Sequence, residues 1–276
     1  MDYKQITYSV MEGVAVITLN RPERLNAWTT TMNREVPDAM LRAAKDGAVR
    51  VIILTGEGKG FCAGADMEEL KAASQDEGTA PPVGAIAIPG LNDRPDVRSD
   101  FLRKFSYFPA VEKPIIAAVN GSAVGLGLIL ALYCDLRFAS EKARFSTAFS
   151  RRGLVAEYGL SWILPRIVGL TNAVDLLFSA RLVDAREAME MGLVNKVFPE
   201  DGFVAGVMTY ATELATMVSP RSLRVMKKQI WEAQMQTLAE AIDFADKEML
   251  LSIESEDFKE GVAHFLEKRP PVFTGK

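Results

Sequence analysis

Two features of the chain have the residue types and spacing to do chemistry. The first is a glycine-spaced turn, Gly121, Gly125 and Gly127, between apolar β-rich runs at 115–119 and 136–139, which opens directly into an apolar helix. Small residues let a ligand approach the backbone, and unpaired N–H groups at a helix start, aided by the dipole, attract developing negative charge. The second is Glu157 in LVAEYGLSW. Apolar neighbours raise a carboxyl's pKa and ready it to move protons. Together they offer anion stabilisation beside one acid/base group. The plainer alternative for Glu157 is a surface carboxylate at a helix N-terminus.

Other chemistries find little support. His264 is the only histidine, which disfavours a Ser-His-Asp hydrolase and a His-rich metal site. Cys62 and Cys134 lack ligand spacing and are too few for a disulfide framework, so they read as buried thiols in a reducing compartment. GEGKG at 56–60 lacks the Lys-Ser/Thr ending of a P-loop, and GSAVGLG at 121–127 does not spell a dinucleotide fingerprint. No metal and no separate cofactor are expected. With 32 basic and 36 acidic residues spread along the chain, net −4, no basic patch suggests nucleic acid. The N-terminal MDYKQITYSV has no signal-peptide pattern, and no charge-free apolar run reaches about 18 residues, so the expectation is no membrane span and a cytoplasmic address.

The positioning elements follow from periodicity. Residues 5–19 read as two strands turning at Glu12-Gly13, and residues 30–45 as a helix that Pro37 kinks or delays. Val49 to Leu54, VRVIIL, is an apolar run broken only by Arg50, as in a strand buried on both faces. Asp66, with Glu69 at capping-box spacing, should begin a helix. Residues 74–92, rich in glycine, proline and small side chains, read as a long loop, either a wall of the site or a surface insertion. Helices are expected at 171–180 and 185–191, then a strand in LVNKVF, and from Glu200 three or four helices divided at Ser219-Pro220 and Ser252. Two regions result: 1–199, where a β, β, α order recurs, and a helical 200–276.

Several segments together carry a family pattern over nearly the whole chain: RLNAW, VIILTGEGKGFCAGAD, KPIIAAVNGSAVGLGLILALYCDLRFAS, RFSTAF, LPRIVG, RLVDAREAMEMGLVNKV and EGVAHFLEKRPPVF. In this order and spacing the sequence resembles the crotonase superfamily, the enoyl-CoA hydratases and isomerases. The resemblance implies an α/β spiral of ββα units in two sheets, with a C-terminal helical region that packs homotrimers, commonly paired into hexamers. It implies an acyl-CoA thioester as substrate, with CoA belonging to the substrate. It places the two oxyanion-holding N–H groups at Ala65 and at Leu126, the middle of a family Gly-Gly-Gly. It places CoA contacts at Arg24, Ala27, Ala63 and Asp66, completed by Phe265 and Lys268 from the C-terminal helix, often of a neighbouring subunit. On their own types, Arg24 and Lys268 also fit solvated charges and Phe265 a core residue.

The sequence departs from the hydratases where they carry two glutamates, for Ile129 and Phe149 stand there. Neither side chain moves a proton, so a two-glutamate hydration is not expected, and both are expected to line an apolar pocket. Glu157 falls at a third position, acidic in single-carboxylate Δ3,Δ2-enoyl-CoA isomerases. The leading expectation is therefore a double-bond isomerase. A hydratase or hydrolase-like enzyme using Glu157 with another partner, and a silent CoA-thioester binding subunit, are the alternatives.

Overall fold

The structure, a computed structural model, describes residues 2–75, 88, 90–91 and 94–276. Strands β1 (Ile6–Met11) and β2 (Val14–Leu19) form an antiparallel hairpin, and helix α1 (Met32–Lys45) crosses to β3 (Val51–Gly56), parallel to β2. Three units of strand, strand and helix follow. They are β3, β4 (Gly60–Cys62) and α2 (Met67–Gln75); β5 (Ile115–Val119), β6 (Ser122–Val124) and α3 (Leu126–Tyr133); and β7 (Leu136–Ser140), β8 (Arg144–Ser146) and α4 (Leu160–Ser179). The first strand of each unit joins one sheet and the second joins another, so the chain advances as a spiral. After β9 (Val183–Asp184), α5 (Ala185–Glu190) and β10 (Lys196–Phe198), the sheet orders are β1-β2-β3-β5-β7-β10 and β4-β6-β8-β9. The expected α/β spiral of ββα units in two sheets is what the chain forms.

The apolar runs are continuous because the larger sheet is covered on both sides. Side chains alternate across a strand. Ala15, Ile17, Ile52, Leu54, Ile115 and Ala117 enter the main core with α1 and α3, while Val14, Val51, Ile53 and Ile116 enter a second cluster. That cluster is closed by Phe203, Val207 and Ala211 of α6 (Phe203–Met217), so the first C-terminal helix belongs to the sheet it covers. Helices α7 (Pro220–Ala233), α8 (Leu238–Ile253) and α9 (Glu256–Glu267) complete the chain. Ser219, Thr237 and Ser255 cap them by accepting from the N–H groups of Ser222, Glu240 and Phe258.

Some local expectations change. Helix α1 begins at Met32 and runs on through Pro37, which removes one backbone donor without ending the helix. The helix expected at 171–180 is the second half of α4, which starts at Leu160 and breaks at Gly169 (φ 76°, ψ 160°). This helix has the length and hydropathy of a membrane-crossing one, yet it carries Arg166 and Asp175 and packs on the core through Leu160, Ile163, Leu164 and Leu176. The strand in LVNKVF shortens to its last three residues. Most of the long loop expected over 74–92 lies outside the described residues, its first two positions being the end of α2.

Candidate active site

Each oxyanion candidate is freed by a different local arrangement. The RLNAW segment runs beside residues 63–66, anchored by the fully buried Asn26, whose Nδ2 donates to the carbonyls of Glu57 (3.0 Å) and Gly60 (2.7 Å). Trp28 N donates to Gly64 O at 2.7 Å and Asp66 N donates to Trp28 O at 2.9 Å. In such a parallel bridge, Trp28 donates to one and accepts from the other of the two residues flanking Ala65. The N–H of Ala65 therefore points to the other side, and Ala65 lines a cavity there.

Leu126 is the first residue of α3, where backbone N–H groups have no intrahelical acceptor. Gly125 before it has φ 53° and ψ −114°, a conformation open essentially to glycine, and donates its own N–H to Ser146 O at 2.9 Å. A Cβ on Gly125 would lie 3.9 Å from the Cα of Gly64, so the two turns are packed together. Two residues on, a Cβ at Gly127 would fall 2.0 Å from the carbonyl oxygen of Cys62, so only glycine lets the helix start press on the end of β4. Among the described residues, neither the Ala65 nor the Leu126 N–H has an acceptor. Both face a cavity of about 540 Å³.

Glu157 is half-buried and lines the same cavity, in a turn where Tyr158 (φ 51°) and Gly159 (φ 75°) are both left-handed. Tyr133 Oη, on α3, donates to Tyr158 O at 2.8 Å. The helix that presents the Leu126 N–H thus also holds the Glu157 turn. Burial raises the pKa of Glu157 and the nearby Lys104 charge opposes it, the balance lying above the ordinary glutamate value. Glu157 lies three residues before the start of α4, as the surface alternative has it, but is partly buried and lines the cavity.

Three carboxylates line the cavity: Asp66, Glu68 and Glu157. Asp66 is ion-paired with Arg21 at 2.9 Å, and Glu68 with Arg24 at 2.9 Å on the exposed rim. Glu157 alone of the three has no ion pair among the described residues. Asp66 also accepts from the Glu68 N–H at 2.9 Å, but the expected capping box is incomplete, because the Glu69 carboxylate accepts from Thr30 instead. Burial raises the Asp66 pKa, yet the hydrogen bonds from Arg21 and from backbone N–H groups outweigh it and hold the carboxyl below the ordinary value.

Of the other sequence candidates, Arg24, Ala27, Ala63 and Phe149 also line the cavity. Ile129 does not. It sits one turn into α3, where every side chain is buried, and packs into the main core. Phe265 is 77% exposed and Lys268 caps the end of α9 in a left-handed conformation, both outside the cavity of this single chain. Sequence reasoning missed Arg21, Lys104, Arg152 and Tyr158. Arg21 lies three positions before the start of the recognised RLNAW segment and Tyr158 adjoins Glu157, whereas nothing in residues 94–110 marks Lys104.

Comparison with known proteins identifies the family. The model of the family described as enoyl-CoA hydratase/isomerase matches residues 9–276. The chain is 35% identical over 267 residues to the 1,2-epoxyphenylacetyl-CoA isomerase of Escherichia coli K12, covering 97% of each chain. It is 36% identical over 277 residues to a "Probable enoyl-CoA hydratase" of Rhodobacter capsulatus, covering 100% of each. A crystal structure of enoyl-CoA hydratase from Bacillus anthracis superimposes with TM-score 0.85 at 28% identity, covering 99% of this chain and 100% of that one. The chain belongs to the enoyl-CoA hydratase/isomerase family.

Replacing Arg21 by Met leaves Asp66 charged and nearly buried, and should cost about 3 kcal/mol in urea unfolding at pH 7. The depressed Asp66 pKa makes this stabilisation complete at neutral pH and lost as pH falls through the folded-state value, so the difference from wild type should shrink in acid.

Proposed function

We propose that the protein moves a C=C bond of an acyl-CoA thioester, converting a 3-enoyl-CoA to the conjugated 2-enoyl-CoA. The observation that carries this reading is that one cavity is lined both by a carboxylate without an ion pair among the described residues, Glu157, and by Ala65 and Leu126, whose backbone N–H groups have no acceptor there. In this reading the thioester oxygen accepts from Ala65 N–H and Leu126 N–H. The Glu157 carboxylate removes the α proton, the electron pair spreads into a dienolate whose oxyanion the two donors hold, and Glu157 returns the proton at the γ carbon. Atoms and charge balance without water or a cofactor, CoA entering as part of the substrate. Donors of this kind are worth about 10² to 10³ in rate each. Phe149, at 6% exposure, gives the wall an apolar surface that disfavours an attacking water. Ile129 contributes only by filling the core, so the exclusion of water rests on Phe149.

We also propose that the active form is a homotrimer or a pair of trimers. Leu238, Leu250, Phe265 and Leu266 on α8 and α9 are 68–78% exposed, an apolar surface that a second copy would cover. Phe265 and Lys268 would then complete a neighbour's CoA site.

With a 3-enoyl-CoA in D₂O, the wild type should conjugate the double bond and incorporate deuterium, and Glu157→Gln should lose about 10² to 10⁴ of that rate. Formation of 3-hydroxyacyl-CoA from 2-enoyl-CoA by the wild type would instead favour the hydratase reading suggested by the Rhodobacter relative's name. Light scattering at micromolar concentration should give a trimer or hexamer mass; a monomer would remove the assembly proposal.

A further inference from the structure

Lys104 is half-buried in the segment just before the short 3-10 turn Phe108–Ala110. Its ammonium lies 5.2 Å from the centroid of the Phe105 ring and 5.0 Å from that of Tyr158. The two rings meet edge to face at 5.0 Å, and Phe105 meets Trp28 in the same way at 5.4 Å. This platform therefore runs from the residue that bridges Ala65 to the residue that follows Glu157. Phe105 is 1% exposed and left-handed (φ 68°), and Tyr158 is tied to α3 through Tyr133, so the rings that hold the ammonium are themselves held.

A surface lysine ordinarily extends its charge into water. Lys104 instead keeps it against two aromatic faces, an arrangement that attracts a cation by the ring quadrupole. Among the described residues no carboxylate comes within ion-pair distance of it. Burial pulls its pKa below the ordinary lysine value, while the negative charges of Glu157 and Glu69 push back. Partial burial without a bonded partner, beside a cavity, is the setting in which a charged group acts on chemistry.

We propose that Lys104 is a positioning residue for Glu157: seated over the Phe105 and Tyr158 rings beside the Glu157 turn, its ammonium keeps the carboxylate of that turn ionised and ready to accept a proton. The role rests on the acid/base reading of Glu157. The groups that share this environment are Tyr158 on the same turn, Lys104 from the segment before the 3-10 turn, Glu69 from α2, and Arg152, Asp66 and Glu68 on the cavity wall. Asp66 and Glu68 are neutralised by Arg21 and Arg24, and Glu69 is engaged by Thr30. Lys104 is the positive charge that acts on Glu157. Without it, burial acts alone and Glu157 takes up its proton at higher pH.

The test is the titration of the Glu157 carboxyl in ligand-free full-length protein, read by ¹³C NMR of δ-¹³C-glutamate label and assigned by the signal lost in Glu157→Gln. Lys104→Met should move the midpoint to higher pH, and Lys104→Arg should leave it near wild type. With a 3-enoyl-CoA, the acid limb of kcat should move in the same direction while kcat above the limb stays near wild type. Should Lys104→Met fail to fold, Lys104→Gln reads the same displacement, with thermal unfolding confirming the native state. A midpoint unmoved by loss of the charge, or displaced as far by Arg as by Met, overturns the proposal. Because the titration needs no substrate, a wild type without isomerase activity would strike the function proposed above and leave this result readable.

Discussion

The site depends on the contact between two backbone turns. The turn at 63–66 ends β4 and the turn at 124–127 begins α3, and they approach closely enough that a Cβ on Gly64 would fall 3.0 Å from the Val124 carbonyl oxygen and one on Gly127 2.0 Å from that of Cys62. That contact is a product of the spiral. β4 and β6 are parallel neighbours in the smaller sheet, so their C-terminal ends emerge side by side, each leading into a helix. Two N–H groups left over by different local geometries, one by a β-bridge and one by a helix start, consequently face the same space. No side chain is needed to make the proposed anion site, so a leucine at one of its two positions costs no donor.

Charge is organised around this neutral, backbone-built centre. Asp66 would be costly so near the oxyanion position if it stood alone, and Arg21 cancels it at 2.9 Å. Glu157 takes no part in that pair and stands on a turn strapped to α3 by Tyr133. The aromatic series Trp28, Phe105 and Tyr158 connects the two sides in packed, edge-to-face contacts. Rigid packing of this kind holds donors and base in one mutual geometry, which matters because displacements near 1 Å can cost orders of magnitude in rate.

The larger sheet was legible in the sequence because its strands are long apolar runs buried on both faces, as at 115–119 and 51–54. The smaller sheet was not. Its strands have two or three residues, such as Ser122–Val124 and Arg144–Ser146, too short for any period to register. The Gly-rich turn announced the helix start at Leu126, and the apolar setting of Glu157 announced a perturbed carboxyl. Ile129 was misplaced because a residue-type match carries no direction: its position on α3 turns the side chain into the core. Arg21 and Lys104 were invisible for a related reason, since their partners lie 45 and 53 positions away and only the folded chain brings them together.

The central claim is that two backbone donors polarise a bound thioester. Isotope-edited infrared spectroscopy of an unreactive acyl-CoA carrying ¹³C at the thioester carbonyl tests it most directly. Hydrogen bonds from Ala65 and Leu126 should lower the carbonyl stretching frequency of the bound ligand below its value in water. A bound carbonyl at or above the aqueous frequency would contradict the account, because it would mean that neither donor reaches the oxygen.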